Sequence, residues 1–298
     1  MKIRKVVEKN NQEKNMRTIE LNNKVKMPQL GLGVFQMTDI EQCKNSVTEA
    51  IKAGYRLFDT AACYGNERAV GSAVHSAGID RRELFLTSKV WIQDAGYAGT
   101  LKSFEKTLEN LQTDYLDLYL IHMPYGDYFG SWRAMEELYR DGKIRAIGVC
   151  NFSSDRLADL VLSTNVVLAI NQIEIHPFSQ QSDVRRLMAK YDIKPMAWAP
   201  FAEGTNNMFQ NETLKVIGNK YGKTPAQVIL RWIVQSDMIT IPKSIHSERI
   251  RENFDIENFN LSQGDIEQIE KMDTGESLIL NVHTVEEAYR LHAIRFNQ

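Results

Sequence analysis

Cysteine is scarce in this chain. Cys43, Cys63 and Cys150 are odd in number and form no C-x-x-C pair, which excludes a disulfide frame and a cysteine-based zinc site. They read as reduced thiols and imply a cytoplasmic setting; no metal is expected. An excess of either charge is also missing. Lysine and arginine number 36 against 38 acidic residues, a net charge of −2 that offers nucleic acid or an anionic membrane surface no electrostatic footing. No run approaches the ~18 apolar residues of a membrane span. Residues 1–16, MKIRKVVEKNNQEKNM, hold only the Val6-Val7 pair as an apolar run and so do not read as a secretory signal. Their charge and asparagine content predict a disordered, frayed extension, with Met16 as an alternative start. What these absences leave open is a small-molecule protein, monomeric or weakly dimeric.

The remainder, residues 17–298, reads as one domain without linkers or low-complexity tracts. Its 298-residue length suits a barrel of roughly 250 residues with extensions, and 43% hydrophobic residues supply the core. Eight short apolar runs end near Gly33, Asp59, Lys89, His122, Cys150, Glu174, Pro200 and Ser244. Near-continuous apolar strands of this kind are buried on both faces, as in a parallel sheet. Helical stripes lie between them: Ile40, Cys43, Val47 and Ile51; Leu101, Phe104, Leu108 and Leu111; and Leu157, Leu160 and Val161 after Ser153. Thr224-Pro225-Ala226-Gln227 combines an N-cap, a proline at the first helical position and a capping-box glutamine. Eightfold strand–helix alternation favours an α/β fold of the (β/α)8 TIM barrel type over the alternative, a doubly wound open sheet. Thr18 to Met27 turns on Asn22-Asn23 and predicts an N-terminal hairpin capping the barrel floor. An extra C-terminal helix is expected beyond Ser262, with Leu261 and Ile266 as a hydrophobic staple. Leu278-Ile279-Leu280 suggests that part of the tail packs back and borders the pocket.

In a barrel the site gathers at the carboxyl ends of the strands. Asp59, Tyr64 just beyond it, Lys89 and His122 stand there, a carboxylate, a phenol, an amine and an imidazole from three successive strands. Taken singly, each has a plain structural reading, an ion pair or a capped strand end. Together they can polarise an oxygen and donate a proton: Asp59 keeps Lys89 charged and aimed, Lys89 lowers the phenol of Tyr64, and His122 orients the substrate. At the eighth strand end Lys243 and Ser244 precede a helix beginning near His246 or Ser247, with Arg249 in its first turn. A helix N-terminus beside two cations is an anion trap, though scattered surface bases would look similar. Gly31-Leu32-Gly33 is followed by Gln36, so the G-x-G-x-x-G fingerprint of a Rossmann domain fails.

Three separated segments resemble the signatures of the aldo-keto reductase family: GYRLFDTAACYGNERAVG (Gly54 to Gly71), LDLYLIHMP (Leu116 to Pro124) and IPKSIHSERIREN (Ile241 to Asn253). The likeness runs from Thr18 to about Asp273. It implies NADPH-dependent reduction of aldehydes and ketones, with Asp59, Tyr64, Lys89 and His122 as the catalytic tetrad and Tyr64 as the acid. By the same resemblance Lys243, Ser244 and Arg249 hold the 2′-phosphate of NADPH/NADP+, and Glu252 and Asn253 meet the adenine. Cys150, Asn151 and Gln172 take the nicotinamide carboxamide, and Trp198 stacks on the ring. Gly33, Val34, Phe35, Ala199 and Phe201 complete the cofactor contacts. Cys150 stands where many relatives carry serine, and Met123 where many carry tryptophan, which predicts a looser grip and a more permissive pocket.

Trp91 is expected as the aromatic wall of the substrate site. The loop from Pro124 to a helix starting near Ser131 is read as short, with Tyr125, Tyr128 and Phe129 as lining. Short loops resemble the bacterial branch that includes diketogluconate and methylglyoxal reductases, which favours small polar or dicarbonyl substrates. Two other classes stay open. Lys89 or Lys243 could form a Schiff base, as in a barrel aldolase, or the protein could hold NADPH as a redox sensor without turnover.

Overall fold

The computed structural model describes residues 17–296, so the extension expected at residues 1–16 lies outside the described residues. The chain opens with an antiparallel hairpin, β1 (Thr18–Glu20) and β2 (Lys26–Pro28). Eight parallel strands follow: β3 (Gly31–Gly33), β4 (Leu57–Asp59), β5 (Phe85–Val90), β6 (Leu116–Ile121), β7 (Ile144–Cys150), β8 (Ile170–Glu174), β9 (Lys194–Trp198) and β10 (Ile239–Thr240). Each pairs with the next, and β10 returns to β3. The Leu30–Thr240 bridge and the hydrogen bonds Thr240 N to Gln29 O (2.8 Å) and Gly33 N to Pro242 O (3.2 Å) close the ring. Closure is tight at Gly33, where a Cβ would lie 2.7 Å from the Ile241 carbonyl oxygen. The fold is the (β/α)8 barrel.

Its helices are α1 (Ile40–Ala53), α2 (Glu67–Ser76), α3 (Tyr97–Leu111), α4 (Tyr128–Arg140), α5 (Ser154–Ser163), α6 (Ser182–Lys190), α7 (Glu212–Tyr221), α8 (Pro225–Gln235), α9 (Ser247–Phe254), α10 (Gln263–Glu270) and α11 (Val285–Ala293). Their ends follow local chemistry. Asp39 accepts from Gln42 N to start α1, and Gly54 at φ 114° ends it. Thr224 and Gln227 form the capping box of α8. Helix α10 starts after Ser262 as expected, on a capping box of Ser262 with Asp265.

Two layers of core result. Inside the ring, Leu57, Phe85, Leu118, Leu120, Ile170 and Met196 pack together, and Leu21 and Met27 of the hairpin join them from below. Outside it, the apolar stripes of the helices cover the sheet, with Trp132 and Trp232 among the largest buried side chains.

Two readings of the chain need correction. Helix α4 begins at Tyr128, not near Ser131, because Asp127 caps it by accepting from Gly130 N at 2.8 Å. Tyr128 is consequently buried against Phe129 and Phe152 and does not line the site. The tail packs back at Leu280 as expected and adds a further helix, α11.

Helix α2 meets α3 at Gly71, where a Cβ would lie 2.6 Å from Asn110 O and 2.7 Å from Leu111. Because those atoms are backbone and cannot turn aside, Gly71→Ala should destabilise the protein by about 1–3 kcal/mol, measured by urea denaturation. An unchanged midpoint would contradict this packing.

Candidate active site

Asp59 ends β4, Lys89 lies near the end of β5, His122 follows β6, Cys150 ends β7, Gln172 lies on β8 and Trp198 ends β9. All therefore stand at the carboxyl-end mouth of the barrel. Lys89 is fully buried, and its Nζ donates to Asp59 Oδ1 at 2.6 Å and to the Thr60 carbonyl at 2.8 Å. Gln172 Nε2 donates to the second oxygen, Asp59 Oδ2, at 2.9 Å. The carboxylate is thus shared between strands β5 and β8, across the ring. Burial pushes the carboxyl of Asp59 up, while the Lys89 charge and these hydrogen bonds pull it back.

Tyr64 ends a short 3-10 turn, Ala62–Tyr64, closed by Gly65 at φ 69°. Asn66 fixes that turn from behind: its amide donates to Val34 O at 2.8 Å and Met37 O at 3.2 Å, and its Oδ1 accepts from Thr60 Oγ1 at 2.8 Å. Glu67 then accepts from Ser88 Oγ at 2.6 Å, next to Lys89. The Tyr64 ring packs 4.9 Å from Phe35 and presents its edge to His122 at 5.5 Å, with Lys89 Nζ 5.0 Å from its centroid.

The expectation that Lys89 lowers this phenol is not met. Burial, reinforced by the charge of Asp59, holds it well above its ordinary range. Lys89 is already matched by Asp59 and the Thr60 carbonyl, so little of its field is left to stabilise a phenolate in advance. Tyr64 is a neutral O–H donor. His122 goes the other way: burial and the nearby Lys89 charge hold its imidazole well below the ordinary value. It stands as a neutral ring between Tyr64 and Trp91, with Cys63 Sγ 3.5 Å from its Nδ1.

A cleft of about 480 Å³ opens over these groups. Tyr64, Trp91, His122 and Met123 form its inner end. Gly33, Phe35, Asn151, Trp198, Ala199 and Phe201 line its length toward Lys243. Asn151, at φ 61°, donates to His122 O at 3.1 Å and accepts from Trp198 Nε1 at 2.9 Å, which holds the indole at the rim. Cys150 meets Gln172 Oε1 only at 3.7 Å. Lys89, Val34 and Cys150 stand behind the wall. Beyond Lys243, helix α9 starts at Ser247 after His246, whose side chain makes no capping hydrogen bond, and Ser244 Oγ accepts from His246 N at 3.2 Å. Lys243 and Arg249 are exposed and have no ion-pair partner among the described residues. Glu252 accepts from Thr224 Oγ1 at 2.6 Å, and Asn253 is buried beside it. An uncapped helix start with two unpaired cations suits a phosphate, flat aromatic and amide groups suit a ring with an amide, and a continuous cleft joins them.

Several lining residues were not foreseen. Cys63 is one. Glu203, Gly204 and Phe209 belong to the irregular segment Ala202–Gln210, and Glu203 accepts from Gln36 Nε2 at 3.3 Å across the cleft. The tail, whose Ile279 and Leu280 border the cleft as expected, also supplies Arg290, Leu291 and Ile294, which were not foreseen. None carries a local sequence signal, because contacts made at this distance leave no periodicity.

The aldo/keto reductase family model matches residues 29–274. Glyoxal reductase of Bacillus subtilis (strain 168) is 48% identical over 260 residues, 87% of this chain and 94% of that protein. Methylglyoxal reductase DkgA of Escherichia coli O157:H7 is 41% identical over 267 residues, covering 89% and 96% respectively. The crystal structure of a Gox0644 mutant in complex with NADPH superposes with a TM-score of 0.86 at 38% identity, covering 91% of this chain and 98% of that one.

The depressed His122 ties stability to pH. Below its ordinary value near 6.5, the unfolded chain binds a proton that the folded site refuses, so stability is lost as pH falls. His122→Gln should flatten that loss by up to ~1.4 kcal/mol per pH unit once the pH is about a unit below 6.5, read from urea midpoints. Parallel pH profiles for the two proteins would contradict a neutral buried imidazole.

Proposed function

The chain belongs to the aldo/keto reductase family, and on that premise we propose that it reduces small polar or dicarbonyl aldehydes and ketones to alcohols with NADPH, Tyr64 giving the proton. The observation that carries this reading is the buried Lys89–Asp59 pair, at 2.6 Å, beside a neutral phenol and a neutral imidazole at the inner end of one cleft. Bound NADPH supplies the hydride, which no side chain can. The chain's own residues do the rest.

Trp198 offers its indole face to the nicotinamide, and Asn151 and Gln172 offer amides to its carboxamide. Lys243, Arg249 and the open start of α9 take the 2′-phosphate, with Ser244 beside them and Glu252 and Asn253 toward the adenine. His122 hydrogen-bonds the substrate oxygen and orients the carbonyl. As negative charge grows on that oxygen, the Tyr64 hydroxyl donates its proton to it. The phenolate left behind lies beside the Lys89 ammonium. Lys89 therefore acts when that charge appears and not before, which reconciles its role with the raised phenol.

Trp91 walls the substrate end and is pinned there by donating to Ile294 O at 3.2 Å. Met123 adds a deformable thioether. A compact inner end agrees with small dicarbonyl substrates, the class named in the glyoxal and methylglyoxal reductase relatives. The aldolase reading loses its footing at Lys89, whose amine is engaged by a carboxylate and a carbonyl where a Schiff base needs a free nucleophile.

NADPH oxidation followed by absorbance with glyoxal, methylglyoxal, diketogluconate and aromatic aldehydes tests the reading; no oxidation with any of them would overturn it. Tyr64→Phe should cut kcat by roughly 10²–10⁴ with NADPH affinity nearly intact. Turnover within a few-fold of wild type would remove Tyr64 as the acid. Lys243→Ala should weaken NADPH about tenfold or more while leaving NADH nearly unchanged, by fluorescence titration of both cofactors. Equal losses would contradict a 2′-phosphate partner.

A further inference from the structure

Glu174 ends β8 two residues after Gln172, on the same face of the strand, and is only 3% exposed. A carboxylate so buried needs compensation. Its one ion-pair contact among the described residues is His176, whose Nε2 lies 3.0 Å from Oε1. Its other partners all come from the tail. Ser277 Oγ donates to Oε2 at 2.5 Å, Leu278 N to Oε1 at 2.8 Å and Leu280 N to Oε2 at 3.3 Å. Ser277 Oγ also accepts from Leu280 N at 3.0 Å.

The turn that Glu174 gathers has no helix or strand of its own. Leu278 is 37% exposed, while Leu280 packs against the cluster of Trp91, Met123 and Leu291. Yet Ile279 and Leu280, the residues enclosed by these hydrogen bonds, line the cleft at its substrate end. The tail is then held further along, where Tyr125 donates to Val282 O at 2.7 Å and Gln93 exchanges two hydrogen bonds with Phe296. Upstream, Thr274 donates to Phe178 O at 2.8 Å and Asp273 accepts from Gln180 N at 3.1 Å, and between these tethers Glu174 accepts the hydrogen bonds that seat residues 277–280.

We propose that Glu174 is a positioning residue for substrate selection: by holding the turn at residues 277–280 against the barrel mouth, it sets the size of the substrate end of the cleft. This rests on the carbonyl-reductase reading above. With the turn seated, Ile279 and Leu280 close the space over Tyr64 and His122, which favours compact carbonyl compounds. With it released, the same catalytic groups face a wider opening, and small substrates lose a wall while bulky aldehydes gain room. Among the described residues no hydrogen bond joins the turn to Asp59, Tyr64, Lys89 or Lys243, so proton donation and cofactor affinity are left alone.

Glu174→Gln tests this, because the amide keeps one acceptor but turns an NH2 toward backbone N–H donors. For this variant with NADPH, KM for methylglyoxal should rise roughly tenfold while kcat stays within a few-fold. The ratio of kcat/KM for a bulky aromatic aldehyde to that for methylglyoxal should rise by a similar factor, and the Kd for NADPH should stay within about twofold. Hydrogen exchange at the Leu278 and Leu280 amides should quicken in the same protein. Ser277→Ala should move every readout in the same direction by less, and it carries the test if Glu174→Gln does not fold. Faster exchange with an unchanged substrate ratio would overturn the selection role. Unchanged exchange would overturn the anchoring itself, and a parallel rise in NADPH Kd would place Glu174 at the cofactor end instead. Exchange is read without turnover, so a wild-type protein that fails to oxidise NADPH would sink the reductase reading while the anchor is still judged on its own.

Discussion

Burying the ammonium of Lys89 is the constraint on which the rest of the site depends. A lone charge at that depth would be very costly, and the structure answers with a carboxylate at 2.6 Å and a carbonyl at 2.8 Å. Asp59 must then be satisfied in turn, and Gln172 reaches it from across the ring. Three strands, β4, β5 and β8, are thereby drawn to one point. The Tyr64 turn, fastened by Asn66 and Glu67, hangs its phenol over that point, where burial, reinforced by the charge of Asp59, holds it well above its ordinary range.

The cleft above has two ends built by different physics. Toward Lys243, the open start of α9 and two unpaired cations form a fixed electrostatic feature made by one segment of chain. Toward Trp91, the wall is assembled from parts far apart in sequence: Met123 after β6, Leu291 and Ile294 on the tail, and the turn at residues 277–280. The first end is rigid because a helix and a barrel strand make it. The second is held by a few hydrogen bonds to Glu174, Tyr125, Trp91 and Gln93, so it is the adjustable end.

Strand and helix alternation was legible because burial imposes a pattern on each element: β5 and β6 are buried throughout, and α1 and α3 carry stripes. Capping chemistry placed α8 and α10 for the same local reason. The start of α4 was misplaced because Asp127 was not read as a cap. Asp59, Lys89 and His122 could be singled out because they sit at strand ends whose positions the pattern reveals, and the family resemblance added Tyr64, just beyond Asp59, as the acid and implied the roles of all four. The state of those groups could not be read that way. The neutral phenol depends on how Asp59 and Lys89 pair, and the Cys63–His122 contact joins two segments 59 residues apart.

Composition and hydrophobic period therefore determined the barrel, and three motifs placed Asp59, Lys89 and His122 at strand ends and Lys243 and Arg249 around the start of α9, since each position is set within its own strand–loop–helix unit. Tertiary structure alone decided that Gln172 completes Asp59, that Glu203 meets Gln36 over the cleft and that the tail closes the substrate end on Glu174. The reason is physical. Hydrogen bonds between residues more than a hundred positions apart are chosen by where the closed ring places their backbones, and nothing in either local segment records the partner.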